Sequence, residues 1–137
     1  MTDKGIAILR ISLGATMLIA HGFPKLMGFS NIAPYFPDPL HVGSAVSLGL
    51  AVFAEFFCAL LLISGTAIRA ACVPLIITMA VAFFLVHGAD PFAKKELAFL
   101  YMTGFIALFV SGAGAYSLKL RLAEDKPCWL RCLLDTK

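Results

Sequence analysis

Residues 44–68 decide the fold: they read SAVSLGLAVFAEFFCALLLISGTAI and contain one charged side chain, Glu55. A helix needs about 20 predominantly apolar residues to cross the roughly 30 Å hydrocarbon core of a bilayer, and this stretch is longer than that. The whole chain has the same character, because 61% of its 137 residues are hydrophobic and 14% are charged. Soluble domains carry about 25% charged residues. The composition therefore excludes a soluble enzyme and a disordered tail, and it predicts an integral membrane protein.

Four stretches are long and apolar enough to be membrane spans. They are about Gly5–Phe23, Ser44–Ile68, Ala70–Val86 and Leu97–Leu118. None alternates between polar and apolar residues as the strands of a membrane barrel do, so each must be a helix. The first stretch lacks a small-x-small cleavage site, which disfavours a signal peptide. The sequence predicts an all-α fold, with a four-helix membrane bundle over residues 1–118 and a cytoplasmic tail over residues 119–137.

Lysine and arginine are distributed unequally between the two sides of this predicted bundle. The side that holds both termini carries Lys4, Arg69, Lys119, Arg121, Lys126, Arg131 and Lys137, and the other side carries Lys25, Lys94 and Lys95. Cytoplasmic flanks of membrane helices are enriched in these residues. We therefore expect a multi-pass protein of the inner (plasma) membrane with both termini in the cytoplasm. A cluster of only Lys94 and Lys95 makes nucleic acid an improbable partner.

The four cysteines fall into two pairs with different surroundings. Cys58 and Cys72 lie inside apolar spans, where we expect them to pack as small core residues. Cys128 and Cys132 form a C-x-x-x-C in the tail, for which a structural and a redox role both remain open. Apolar residues around them, such as Trp129, favour a short amphipathic helix on the membrane surface.

Ionisable residues inside the predicted spans need a partner or a purpose, because burying one at the bilayer centre costs at least about 2.5–3.5 kcal/mol. At about 1.5 Å of rise per residue, Glu55 lies near the bilayer midplane and Arg10 roughly 8 Å in from the cytoplasmic end of the first span. A long arginine side chain could close most of the remaining distance. The sequence predicts that Glu55 pairs with Arg10 or with a protonated His21, and an Arg10–Glu55 ion pair is the first expectation.

A second polar group is expected at the outer ends of the spans. His21, Lys25, His87 and Glu96 lie at similar depth, below a proline-rich connection at residues 24–43. Such a group could bind a small polar or quinone-like ligand, or its members could simply hydrogen-bond one another. Two histidines on separate helices could also hold a metal or a haem, but no motif fixes that geometry, and we assign no metal ligands.

The order and spacing of short elements along the chain resemble the DoxX family of membrane proteins. The elements are Leu9-Arg10-Ile11 with Gly14, His21-Gly22-x-x-Lys25-Leu26, Glu55, Gly65-Thr66-Ala67-Ile68-Arg69, His87, Glu96-Leu97-Ala98 and Gly112-Ala113-Gly114-Ala115-Tyr116-Ser117-Leu118. One departure is Lys119, where the family often has Asp. By position, Arg10, Glu55 and Arg69 match recurring polar residues of the family, which makes them a predicted buried polar network.

The resemblance implies a small inner-membrane protein, related to the membrane part of thiosulfate:quinone oxidoreductase and to subunits of membrane oxidoreductase complexes. We expect a membrane subunit of a quinone- or sulfur-linked redox system, with quinone or a small thiol or sulfur compound as ligand and a second oxidoreductase as partner. Whether the chain is catalytic by itself stays open, as does homo-oligomerisation. The alternatives are a non-catalytic anchor or assembly protein and a small-solute or lipid transporter. Four spans without an internal repeat disfavour the transporter. No phosphate loop or dinucleotide fingerprint is present.

Overall fold

The computed structural model describes residues 2–118, and within them every regular element is helical. The helices are α1 (Asp3–Met27), α2 (Phe29–Ile32), α3 (Ser44–Ser64), α4 (Ile68–Val86) and α5 (Phe92–Ser111). A 3₁₀ turn, Ala33–Tyr35, follows α2. The predictions made for the tail, including those for Cys128 and Cys132, lie outside the described residues.

Three of these helices, α1, α3 and α4, are long and apolar enough to cross a membrane. For these three helices, the prediction of an all-α membrane protein is confirmed. The fourth long helix, α5, contains 20 residues and carries Lys94, Lys95 and Glu96 in its first turns.

The ends of three helices differ from the prediction, and one of them, α3, stops at Ser64 instead of continuing to Ile68. Helix α1 continues through Pro24 to Met27, although proline lacks the N–H that an α-helix needs. The backbone has already changed its bonding before Pro24, since Phe23 donates to Leu18 five residues back. Helix α5 begins at Phe92, before the predicted start, and stops at Ser111, because Gly112 has a φ of 74° that does not continue a helix.

The four long helices form a closed bundle, in which α1 packs against α3 and α5 while α4 packs against α3 and α5. One end of the bundle, which we call the terminus end, holds residues 2–5, 65–67 and 112–118. The opposite end, the loop end, holds residues 28–43 and 87–91. The core between them includes Met17, Cys58, Leu62, Cys72, Leu75, Phe105 and Leu108. Cys58 and Cys72 are therefore core residues, as predicted.

Arg10 is buried at the terminus end and closes the last turn of α3. Its Nη1 donates to the carbonyl oxygens of Leu62 at 2.8 Å and Ile63 at 2.5 Å, and its Nη2 donates to Tyr116 O at 2.5 Å. Carbonyls in the last turn of a helix have no partner within the helix, and the negative end of the helix dipole favours a cation there. Gly65, with a φ of 81°, ends α3 directly beside this guanidinium.

The predicted Arg10–Glu55 ion pair is therefore wrong. Arg10 uses its donors on backbone carbonyls at the terminus end, and Glu55 has another cation as its partner. Arg69, in the first turn of α4, also binds the end of another helix. Its Nε donates to Phe109 O at 3.1 Å in the last turn of α5. The predicted network of Arg10, Glu55 and Arg69 thus includes two arginines that cap helix ends and a carboxylate that belongs to a separate site.

Candidate functional site

The described part of the chain contains three π-helical segments, one in each of the apolar helices. They are Leu18–Gly22 in α1, Phe53–Cys58 in α3 and Ala82–Val86 in α4. A π-helical turn is rare and occurs mostly as a single bulge inside an α-helix, frequently at a functional site. Here the segments of α1 and α3 contact each other, and α4 packs against the segment of α3. The π-helical segments of α1 and α3 therefore lie side by side in the bundle.

Gly22 permits the close approach of α1 to α3 in this region. A Cβ at Gly22 would overlap the carbonyl oxygen of Glu55 and would lie 2.7 Å from the amide nitrogen of Phe56. Any larger residue would separate the two backbones. Since small residues let membrane helices pack closely, Gly22 fixes how far the next turn of α1 lies from Glu55.

Lys25, one turn beyond Gly22, forms an ion pair with Glu55. Its Nζ lies 2.7 Å from Oε1 and 2.5 Å from Oε2 of that carboxylate. The Glu55 side chain is 3% exposed and that of Lys25 is 24% exposed. Both carboxylate oxygens therefore receive a charge-assisted hydrogen bond from Lys25.

An apolar cavity of about 360 Å³ adjoins this ion pair. Its walls come from α1, α3, α4 and the segment between α2 and α3. The lining residues are Lys25, Phe36, Pro37, Pro39, Leu40, Ser47, Leu50, Ala51, Glu55, Ile77, Thr78, Val81, Ala82, Val86 and His87. Binding pockets for small molecules are typically about 300–1,000 Å³ and mostly apolar, with a few polar groups that orient the ligand. This cavity has that character.

The loop over the cavity is held by Asp38. Its Oδ1 accepts hydrogen bonds from Ser47 Oγ at 2.7 Å and from the Val42 amide at 3.1 Å, and its Oδ2 accepts one from the Gly43 amide at 2.7 Å. The hydrogen bond from Ser47, followed by those from the two amides, lowers the pKa of Asp38 despite an opposing effect of desolvation. Lys25 also contacts this loop through a cation–π interaction, since its Nζ lies 5.7 Å from the centre of the Phe36 ring.

His87 reaches the cavity from the end of α4, where its amide donates to Ala82 O at 2.9 Å. Its Nδ1 lies 2.9 Å from Oδ2 of Asp90, which fixes the orientation of the ring. This hydrogen bond is the main reason why the pKa of Asp90 lies below its ordinary value. Lys94 lies 3.8 Å from the other oxygen of the same carboxylate.

The four predicted ligand-binding residues are only partly brought together. Lys25 and His87 line the cavity, and Glu55, which the sequence assigned to a deeper network, lines it with them. His21 lies outside the lining, with its ring edge-on to Tyr101 at a centroid distance of 5.8 Å. Glu96 is exposed on α5 and is also absent from the cavity wall. Among residues 2–118, no three His, Cys, Asp or Glu side chains are grouped as metal ligands would be.

A family model for DoxX matches residues 5–88, which is more than half of the chain. The chain belongs to the DoxX family. The match includes Lys25, Glu55 and His87, together with the whole loop over the cavity. It ends before Glu96 and the Gly112–Leu118 segment, so that part of the predicted resemblance stays a prediction. No curated protein and no solved structure is significantly similar to this DoxX protein.

Sequence reasoning expected the proline-rich connection at residues 24–43 to cover the polar group, and Phe36, Pro37 and Pro39 of that connection do line the cavity. It missed Asp38 and the three π-helical segments. No short motif marks this role of Asp38, because it lies five residues before Gly43, and Gly43 precedes α3 without a side-chain cap. The π-helical segments of the DoxX protein have no signal either, because their residues are as apolar as the α-helical turns beside them.

Proposed function

We propose that this DoxX protein is a membrane subunit of a quinone-linked redox system and that the cavity at Lys25 and Glu55 binds the quinone headgroup. The observation that carries the proposal is the position of one desolvated ion pair on the wall of an apolar cavity of about 360 Å³. A quinone ring is apolar on both faces and has two carbonyl oxygens that accept hydrogen bonds. The cavity offers a matching combination of apolar wall and few polar groups.

The polar groups on the cavity wall differ in what they can supply. Lys25 donates to both oxygens of Glu55 and has a third N–H with which to bind a carbonyl oxygen. His87 is oriented by Asp90 through Nδ1, which leaves Nε2 for a ligand or for proton exchange. Reduction of a quinone to its quinol takes two electrons and two protons. We propose that a partner oxidoreductase, which oxidises a thiol or an inorganic sulfur compound, supplies the electrons, and that His87 exchanges protons.

The membrane placement belongs to the same proposal. Helix α5 packs closely against α4, and from Leu97 to Ser111 it carries no charge, a length of about 22 Å at 1.5 Å per residue. We propose that α5 is the fourth crossing, that the membrane is the inner (plasma) membrane, and that both termini are cytoplasmic. The cavity then lies in the outer leaflet, because it adjoins the loop end.

Bound quinone in the purified protein tests the proposal directly. The full chain, purified from bacterial membranes in mild detergent, should retain quinone in a fixed ratio to protein, measured by mass spectrometry of its lipid extract. The double variant Lys25→Met, Glu55→Gln should retain much less, while Lys94→Met, which changes a lysine that is 68% exposed, should match the wild type. Quinone no higher than in an unrelated membrane protein prepared in parallel would contradict the proposal, and an empty protein that carries a soluble enzyme with it would favour an anchoring role.

A further inference from the structure

The aqueous side of the cavity is covered by the loop that precedes α3. Phe36, Pro37, Pro39 and Leu40 from this loop all form part of the cavity wall. The loop is tied to α3 by the hydrogen bond from Ser47 to Asp38 at 2.7 Å. A ligand that approached from water would have to displace these four residues.

The side of the cavity between α3 and α4 is different. Leu50 on α3 and Ile77 on α4 both line the cavity, yet they are 54% and 56% exposed. Both helices are apolar enough to cross a membrane, so the exposed faces of these two side chains are ones that lipid can reach. This side of the cavity is therefore bounded by apolar side chains on two helices that lipid can surround.

The packing of α3 explains why this side is open. Its Phe53–Cys58 and Ala59–Ser64 segments pack against α4, whereas its first segment, Ser44–Val52, packs mainly against the Ala33–Tyr35 turn and α1. The two helices consequently diverge towards the loop end. Leu50 lies on the diverging part of α3, and Glu55 lies where the helices meet.

From this arrangement we infer that the gap between Leu50 and Ile77 is a lateral portal, and that the ligand is an amphiphile with a long apolar tail. The inference rests on the proposed function and narrows it. The headgroup lies against Lys25 and Glu55, and the tail leaves between Leu50 and Ile77 into the lipid. A tail stays in an apolar medium along this route, so only the headgroup needs polar partners. A tail-free sulfur compound has no use for such an opening.

A photoreactive quinone tests the route of the tail. The probe is a ubiquinone analogue with a ten-carbon tail that ends in an aryl azide, added to the full chain in phosphatidylcholine nanodiscs and competed with decylubiquinone. We expect competed labelling on residues 44–52 of α3 or 68–81 of α4. Competed labelling only on the loop at residues 36–40 would overturn the portal while leaving quinone binding intact. Labelling that decylubiquinone does not reduce would overturn the proposed function as well.

Narrowing the portal gives a second, independent readout. Leu50→Trp and Ile77→Trp enlarge half-exposed side chains on the lipid side, and Val110→Trp, at a residue 72% exposed on α5, is the matched control. The first two variants should slow labelling by the tailed probe several-fold, and by a larger factor than they weaken displacement by tail-free ubiquinone-0. Equal labelling rates in all three variants, with wild-type melting temperatures, would overturn the portal.

Discussion

Lys25 and Glu55 form an ion pair across the interface between α1 and α3, with the lysine nitrogen 2.7 Å and 2.5 Å from the two carboxylate oxygens. The pair lies one turn from Gly22, where the backbones of α1 and α3 approach closely, and on the wall of an apolar cavity. The Lys25–Glu55 ion pair thus contributes both to the packing of α1 against α3 and to the polar groups of the proposed site.

Removal of the lysine alone should destabilise the protein strongly. Lys25→Met leaves the Glu55 carboxylate buried without a counter-ion, which should lower the free energy of unfolding by about 3–5 kcal/mol. The double variant Lys25→Met, Glu55→Gln should recover much of this loss, because the uncompensated charge is gone. Unfolding in mixed micelles, followed by circular dichroism, measures both effects. The control Lys94→Met removes an exposed ion pair and should change the free energy of unfolding little.

A methyl group at Gly22 should force α1 and α3 apart. We expect Gly22→Ala to lower the free energy of unfolding by about 1–3 kcal/mol, since its Cβ would overlap the backbone at Glu55. Gly49→Ala is the matched control, because a Cβ there meets nothing within 4 Å. Alanine is the better helix former, so the control should be neutral or slightly stabilising. Equal melting temperatures for the two variants would show that the close approach at Gly22 is absent.

Arg10 and Glu55 should behave as independent sites. They share no partner, since Arg10 caps the last turn of α3 and Glu55 is paired with Lys25. In a double-mutant cycle with Arg10→Met and Glu55→Gln, the losses in unfolding free energy should add within about 0.3–0.5 kcal/mol. A coupling well above that range would restore the ion pair that the sequence predicted.

The fold was largely predictable from the sequence. The groups that bind the buried charged side chains were not. The lengths of the apolar stretches predicted α1, α3 and α4, and the cost of burial predicted that Glu55 and Arg10 would be enclosed. Depth along a straight helix then suggested that these two would pair. It gave no information on which face each side chain occupies or on the carbonyls at the end of α3 that bind Arg10.

The site was predicted in part for the same reason. Lys25 and His87 were assigned to one ligand site from their similar depth, and they do share a cavity. Glu55 was not assigned to it, because its depth near the bilayer midplane placed it below these residues and beside Arg10. Helix α1 continues to Met27, which brings Lys25 within reach of Glu55. Depth alone also grouped Glu96 with them, although α5 leaves it exposed.

The loop over the cavity should respond to acid through Asp38. Its pKa is lowered in the folded protein, so its contribution to loop stability is present above the ordinary carboxyl value of about 4 and is lost as the pH falls through the lower folded pKa. Asp38→Asn should loosen the loop even at neutral pH, since an amide has one acceptor oxygen in place of two. Hydrogen exchange of the Val42 and Gly43 amides should then be several-fold faster, while exchange in α4 is unchanged. Unaltered protection of both amides would contradict the role of Asp38.

Saturable binding of decylubiquinone tests the central claim most directly, with the full chain in phosphatidylcholine nanodiscs. Val81→Trp places a large side chain in the cavity, and Val110→Trp makes the same change on an exposed face of α5. If the cavity at Lys25 and Glu55 binds the quinone headgroup, Val81→Trp loses saturable binding, and Val110→Trp binds as the wild type does, with both proteins folded. Wild-type binding by folded Val81→Trp would contradict the account.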